Sequence, residues 1–386
     1  MNNTLALHFA KAFYFLYYGA WAFLLPFLAL YYQDLGFTGS QIGLLSSISP
    51  LVTLFAAPFW GGLADALQRH KRVLMISLAG AWLSVLGLSQ AREFWLIAPA
   101  VAGYAFFSAT VMPLVDNSVL TLLGDHRERY GSQRVWGAIG WGLAGPLAGW
   151  LTGFSLGWAF TGYLALVAAT ILVTVRLPVS GAPQRSPFWA GVRKLLSDRR
   201  WFVFLLVCFV SGAGLSVVTN FLFLYMNELK ASSTVMGLAL AMATISEIPV
   251  LFFSGRMLHR WGPRGLLVIS LAAYVARAYG YSIASEPWQV LLIQLLHGLT
   301  FSTMWVAGVS FAAEMAPKGL GATAQGLFSS TVMGVGGITG SLVGGLLLDR
   351  FGGAGMYFWS GSAVLVGLLL FLLAGRRLSR PTPAVE

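Results

Sequence analysis

Apolar stretches of about 20 residues, each closed by charges or by glycine and proline, recur along the whole chain. Twelve are legible. The first six lie near residues 9–32, 41–64, 71–90, 95–122, 132–155 and 157–177, and the second six near 200–227, 233–255, 264–284, 287–315, 319–348 and 354–375. Between the two sets, residues 178–199 mix Pro178, Gly181, Pro183, Pro187 and Gly191 with Arg185, Arg193, Lys194, Asp198 and Arg199, the composition of a linker. The pattern predicts an all-α integral membrane protein with twelve transmembrane helices in two six-helix bundles. Residues 1–177 form the first bundle, 178–199 a cytoplasmic linker, and 200–386 the second bundle with a short cytoplasmic tail.

Composition removes the soluble alternative. With 57% of its 386 residues hydrophobic and 10% charged, the chain carries more apolar surface than any aqueous fold could hide. The first span is longer than the apolar region of a cleaved signal and contains Pro26, so it is read as a retained helix. The formal charge of +11 raises the question of nucleic acid, but the bases are better explained by orientation. With both termini cytoplasmic, the outward loops hold only Arg92, Lys230 and Arg350, and Arg134 and Arg277 lie inside spans; 19 of the 24 Lys and Arg residues then face the cytoplasm. A multi-pass protein of the plasma or inner membrane is expected, with membrane lipids and no nucleic acid among its partners. One cysteine, Cys208, rules out an intrachain disulfide.

Two segments repeat. Gly61-Gly62-Leu63-Ala64-Asp65-Ala66-Leu67-Gln68-Arg69-His70-Lys71-Arg72 follows the second span, and Gly255-Arg256-Met257-Leu258-His259-Arg260-Trp261-Gly262-Pro263-Arg264 follows the eighth, 194 residues on. The first resembles the loop signature of the major facilitator superfamily, G-x-L-A-D-R-x-G-R-[KR], departing from it at Ala66 and Gln68; the second has His259 in place of the aspartate. The resemblance covers the whole chain. It implies two six-helix halves related by an axis along the membrane normal, a solute site between them near the midplane, and a monomer. It also implies a conformational gating loop built from Gly62, Asp65, Arg69, Lys71 and Arg72.

Ionisable groups inside spans are the next signal, because each costs about 2.5–3.5 kcal/mol in hydrocarbon and so calls for a function and a partner. Well inside spans lie two acids, Asp116 and Glu247, and two bases, Arg134 and Arg277. Met112-Pro113-Leu114-Val115-Asp116-Asn117 and Arg134-Val135-Trp136-Gly137 are similar to the fourth and fifth helices of the lactose and phenylpropionate permease group of proton symporters. Carried over, Asp116 accepts from the solute, Arg134 donates in a fork and Trp141 offers a stacking surface. An arginine fork fits a carboxylate as well as vicinal hydroxyls, so the pair leaves the substrate class open. Tyr14, Tyr17, Tyr18 and Trp21 lie at near-helical spacing in the first span, and Asn220 is a lone amide in the seventh; of these Tyr17 and Asn220 are taken as further candidate ligands.

In the second half, Glu247 stands beside Pro249, and Arg277 precedes His297 by 20 residues. That separation resembles the same permeases, where the arginine and histidine belong to a proton-coupling network, so Glu247, Arg277 and His297 are assigned to proton coupling. The chain departs from the lactose pattern at Thr300, where the proton-carrying acid stands, and at Gln294, in place of a lysine. The glycines of the fifth and eleventh spans read as close-packing surfaces.

The expected function is proton-coupled symport of a small polar organic solute, such as a sugar, an aromatic carboxylate or a nucleoside, by alternating access. A proton-driven exporter of drugs or other lipophiles and a non-transporting solute sensor on the same fold are the alternatives. An enzyme is disfavoured, since no Ser-His-Asp arrangement, H-E-x-x-H or nucleotide-binding glycine loop is present, and no metal or other cofactor is expected beyond the proton as coupling ion.

Overall fold

The computed structural model describes residues 3–126, 129–179, 192–193, 195–317 and 320–378. Most of the expected linker, residues 180–191 and 194, and the tail from 379 lie outside them. Among the described residues the chain is helix after helix, with no strand. The first set comprises α1 (Asn3–Asp34), α2 (Gly39–Leu67), α3 (His70–Gln90), α4 (Phe94–Ser108), α5 (Val111–Leu123), α6 (Tyr130–Thr152) and α7 (Gly157–Arg176). Then come α8 (Arg199–Glu228), α9 (Ser233–Ile283), α10 (Pro287–Gln294), α11 (Thr303–Met315), α12 (Gly321–Ser329) and α13 (Gly337–Leu378). Two wider π-helical segments, Gly298–Ser302 and Ser330–Gly336, lie between α10 and α11 and between α12 and α13.

Local chemistry sets the starts and breaks. At α2 the Thr38 hydroxyl accepts from Gln41 N while the Gln41 side chain accepts from Thr38 N at 2.9 Å, a reciprocal cap. Asp198 opens α8 by accepting from Arg200 N at 2.7 Å, and Ser232 opens α9 by accepting from Val235 N. A straight helix of 51 residues, the length of α9, would reach about 75 Å, more than twice the apolar thickness of a bilayer. Gly262, at φ +64°, divides it, and Pro263 starts the next limb, where a missing N–H costs nothing. Gly352, at φ +68°, divides α13 in the same manner. Among the described residues nine helical stretches are long and apolar enough to cross a membrane, and two of them carry these breaks. The glycine-rich α6 is not among the nine.

Helices α1, α6 and α7 pack together, as do α3 with α4 and α8 with α13. Helices before the linker meet those after it chiefly along two seams, α2 on α13 and α6 on α9, with a smaller contact of α1 on α8. Both seams are backbone against backbone. A Cβ on Gly43 would lie 2.4 Å from Ser341 O and one on Gly345 2.2 Å from Gly39 O; on the other seam, a Cβ on Gly237 would lie 2.5 Å from Gly145 O and one on Gly149 2.5 Å from Ser233 O. Gly43 and Gly237 stand 194 residues apart, as do Gly39 and Ser233, so the seams repeat one motif.

The seams part toward the other end. Gly142 still meets Thr244, and Gly334 meets Leu54, but a Cβ on Gly61, Gly62, Gly131 or Gly255 would find nothing within 4 Å. The molecule is thus closed at the end bearing the α1–α2 and α8–α9 loops and splayed at the end bearing the α2–α3 loop. Gly149→Val drives a side chain into backbone that cannot yield, and is expected to cost about 1–3 kcal/mol. Gly62→Ala meets open space and gains helix propensity; thermal unfolding of the two purified variants should show a lowered transition for the first and none for the second.

Candidate functional site

Asp116 is set in the second turn of α5, a helix that restarts after a break at Ala109 and Thr110, with Pro113 in the first turn where its missing N–H is tolerated. Arg134 stands one turn into α6. Its Nη1 donates to Asp116 Oδ2 at 2.7 Å and to the Tyr130 hydroxyl at 3.1 Å, while its Nη2 donates to the Tyr18 hydroxyl. Tyr14 donates to Asp116 Oδ1 at 2.7 Å. The guanidinium also lies 5.5 Å from the Tyr18 ring centroid and 6.0 Å from that of Tyr14. Tyr14 and Tyr18, one helical turn apart, therefore clasp the ion pair from α1. Gly137 makes the room, since a Cβ there would lie 2.8 Å from the Tyr18 ring. The side chains of Arg134 and Asp116 remain 39% and 25% accessible, so this cluster is not sealed.

A second cluster is built on α9 and the π segment. Glu247 Oε1 lies 3.2 Å from His297 Nε2, and Ser302 donates to Glu247 Oε2 at 3.2 Å. His297 and Ser302 are five residues apart, and the i to i+5 pitch of the π segment brings both to one carboxylate. Behind His297, Arg277 is almost fully buried: Nη1 meets His297 Nδ1 at 2.9 Å and Thr300 Oγ1 at 3.0 Å, Nε donates to the Tyr281 hydroxyl at 3.0 Å, and Nη2 donates to Gln294 Oε1. Gln294 in turn is held by Ala239 O at 3.2 Å. Arginine only donates, so His297 Nδ1 must accept and the ring proton sits on Nε2, which donates to Glu247. Both Glu247 oxygens then accept, the arrangement of an ionised carboxylate. Arg277 and Glu247 are thereby linked through one neutral imidazole.

Thr300 and Gln294, the two departures from the lactose pattern, thus act as neutral acceptors for the buried guanidinium. Gly298 lets the layers approach, since a Cβ there would lie 2.1 Å from Ser246 O. Both clusters lie beyond the tight part of the seams: Glu247 falls between Gly237, in contact, and Gly255, in open space, and Arg134 lies beside Gly131, also open.

Other expected residues sit elsewhere. Tyr17 is fully buried, with ring centroids 5.5 Å from Phe13 and 5.0 Å from Trp21. The Asn220 amide donates to Ser216 at 3.0 Å and Ser341 at 2.9 Å, tying α8 to α13. Trp141 is half-buried beside Gly142 at the α6–α9 seam. Of the expected gating loop, Gly62 and Asp65 fall in the last turns of α2 and Lys71 and Arg72 in the first turn of α3, with Arg69 just before it; Asp65 pairs with His70 at 3.0 Å, Lys71 donates to Val175 O at the carbonyl end of α7 at 2.6 Å, and Gly62 and Arg72 are exposed. Tyr14, Tyr18, Tyr130, Tyr281 and Ser302 complete the clusters without having been assigned to them; i, i+4 spacing to a candidate charge would have found Tyr130 and Tyr281. A cavity of about 350 Å³ between α8 and α13, lined by Val217, Val343 and Trp359 among others, contains none of these charged residues. Among the described residues, no three His, Cys, Asp or Glu side chains gather as a metal would require.

A family model described as "MFS_1 like family" matches residues 7–359. The chain belongs to this family of major facilitator transporters. It is similar to the maltose permease of Geobacillus stearothermophilus, at 29% identity over 95% of this chain and 93% of the relative. It is also similar to the multidrug resistance protein MdtG of Salmonella typhi, at 26% over 92% and 91%. The solved structure of the nucleoside transporter NupG superposes with a TM-score of 0.86 and 21% identity, over 97% of this chain and all of that one, a likeness of fold. The protein is a multi-pass membrane transporter of the major facilitator superfamily.

Removing one partner of the Asp116/Arg134 pair leaves a part-buried charge without its counter-ion. Asp116→Asn and Arg134→Gln should each lower the unfolding transition, and the double variant should be less destabilised than the two losses combined, with a coupling of about 0.5 kcal/mol or more. Strict additivity in a thermal-unfolding double-mutant cycle would show that the contact is not energetically coupled.

Proposed function

We propose that the protein is a proton-coupled symporter of a neutral, polyhydroxylated organic solute of the sugar or nucleoside class. The observation that carries the reading is charge balance. Asp116 and Arg134 neutralise each other at 2.7 Å, and the Arg277 guanidinium has its nitrogens engaged by His297, Thr300, Gln294 and Tyr281. Within these two clusters an anionic solute would find no cation that is not already committed. A neutral polyol suits the first cluster better. The three bonds that Arg134 makes leave N–H groups to donate, and the carboxylate and the tyrosine hydroxyls can accept. The names of the maltose permease and the nucleoside transporter, both concerned with neutral hydroxylated solutes, support the same class.

Proton coupling rests on Glu247. A proton arriving there abolishes its bonds from His297 Nε2–H and Ser302 as a charged acceptor, and weakens the tie to Arg277 that runs through the imidazole. Residues 1–177 and 200–386 act as two bundles of six crossings that rock about the seams, with the solute between the clusters. The twelve crossings comprise the nine apolar stretches, one more from each of the two divided at Gly262 and Gly352, and α6. The charge distribution along the chain supports a cytoplasmic side for both termini, the basic loops and the splayed end, and on that reading the structure is inward-open. The working unit is a monomer in lipid, and the α2–α3 connection with its flanking helix ends, from Gly62 to Arg72, closes against the other bundle in the opposite state.

In proteoliposomes, maltose or uridine should exchange in counterflow while 3-phenylpropionate should not. Glu247→Gln should keep counterflow yet lose accumulation driven by a pH gradient, falling about to the equilibrium level. Undiminished uphill uptake by that variant removes Glu247 from coupling. Outward movement of a lipophilic cation in place of solute uptake would favour export, a reading compatible with the multidrug resistance named for MdtG.

A further inference from the structure

At the closed end the two seams repeat each other in glycines but not in charge. Thr38 and Gln41 cap one another at the start of α2, which leaves the N–H groups of Gly39 and Ser40 to find acceptors outside the helix. Both find Asp349, more than 300 residues away on α13: Gly39 N donates to Oδ1 at 2.6 Å, Ser40 N donates to Oδ2 at 2.7 Å, and the Ser40 hydroxyl donates to Oδ2 as well. A carboxylate at a helix amino terminus, with three donors, is a charge-assisted arrangement. Its own helix gives it no such support. Asp349 stands three residues before the break at Gly352, at the carbonyl end of its limb, where a negative side chain is disfavoured.

The other seam lacks this group. Gly149 matches Gly345 and Gly145 matches Ser341 at a separation of 196, and the same register places Gly153 opposite Asp349. Ser232 caps the start of α9, and no acid is bonded to Ser233 N among the described residues. A third contact lies on the axis between the halves: Asn227 Nδ2 donates to Gln33 Oε1 at 2.9 Å, and these two residues are themselves 194 apart.

We propose that Asp349 is the latch of the closed end, holding α13 on the amino terminus of α2, and that its release is a step of the transport cycle. Separating the α2–α13 seam strips Gly39, Ser40 and Asp349 of their partners together, whereas the α6–α9 seam gives up packing alone. The closed end therefore opens against one electrostatic contact on one side. This inference depends on the family and the seams, not on which solute is carried or whether a proton is coupled.

The test is pulsed electron-spin distance measurement between labels at Gln33→Cys and Asn227→Cys, in a Cys208→Ala background, in lipid nanodiscs without solute. The labels remove the Gln33–Asn227 bond from every sample, so the comparison isolates Asp349. With Asp349 intact, one short distance should dominate; Asp349→Ala should add a longer component and raise the far-to-near ratio about tenfold or more. Asp349→Glu, which keeps the carboxylate, should return most of the population to the short distance. A lowered unfolding temperature with an unchanged distance distribution would mean that Asp349 only stabilises the fold, and the proposal fails. Should Asp349→Ala not yield folded protein, Asp349→Asn, of the same size but without the charge, is read on the same distances, and an unchanged distribution overturns the latch equally.

Discussion

Lipid tails are as apolar as leucine, so two helices in a bilayer gain little by hiding side chains from their solvent, and close approach of backbones must hold them instead. That constraint governs this molecule at Gly43, Gly149, Gly237 and Gly345, where the facing carbonyls or Cα atoms leave no room for a Cβ. Everything between the helices before and after the linker follows from how far those contacts extend. They are tight at one end, fade through Gly142 and Gly337, and vanish by Gly61 and Gly255, so the interior opens in one direction. Because a glycine seam has few side chains to repack, it can be separated and re-formed without disturbing the helices themselves, which a transporter requires of its moving surface.

Charge is handled by local closure. Each polar cluster carries one acid and one base, and each base is surrounded by tyrosine, threonine, glutamine or histidine atoms that accept from it. The first pair is direct and accessible, and the second is indirect, with a neutral imidazole between Glu247 and Arg277. The direct pair is joined without an intermediary, whereas the imidazole of the second bonds to the carboxylate and the guanidinium alike.

Much of this is legible in the sequence. Spans emerge from apolar length alone because the bilayer penalises every unpaired backbone group in its core, and the four intramembrane charges stand out for the same reason. The 95–122 stretch, however, is two helices with a break at Ala109 and Thr110, and the 287–315 stretch contains a π segment; neither changes hydropathy, so neither leaves a mark in the apolar pattern. Among the tyrosines of α1 the pattern could not decide. Tyr14, Tyr17 and Tyr18 are equally apolar and equally spaced for a helix, and only the rotation of α1 against Gly137 of α6 turns Tyr14 and Tyr18 toward Arg134 and Tyr17 into the core. Thr300 and Gln294 look like losses when read as single letters. Their role as acceptors depends on the position of Arg277, one helix away. Asp349 is silent for a plainer reason: an acid at a span end is ordinary, and its partners are on a helix at the other extreme of the chain.

The hydrogen bond between Gln33 and Asn227, 194 residues apart like the matching seam positions, places side chains of equivalent register face to face, where an axis relating the two sets of helices would pass. In an assembly of two identical six-helix chains every contact off that axis would have to occur twice, so an aspartate on one seam would bring an aspartate to the other. Joining the halves in a single polypeptide removes that obligation. Asp349 bonded to α2 while its counterpart Gly153 carries no side chain is an asymmetry that a homodimer has no means to encode, and it lets one seam serve as a hinge while the other serves as a clasp.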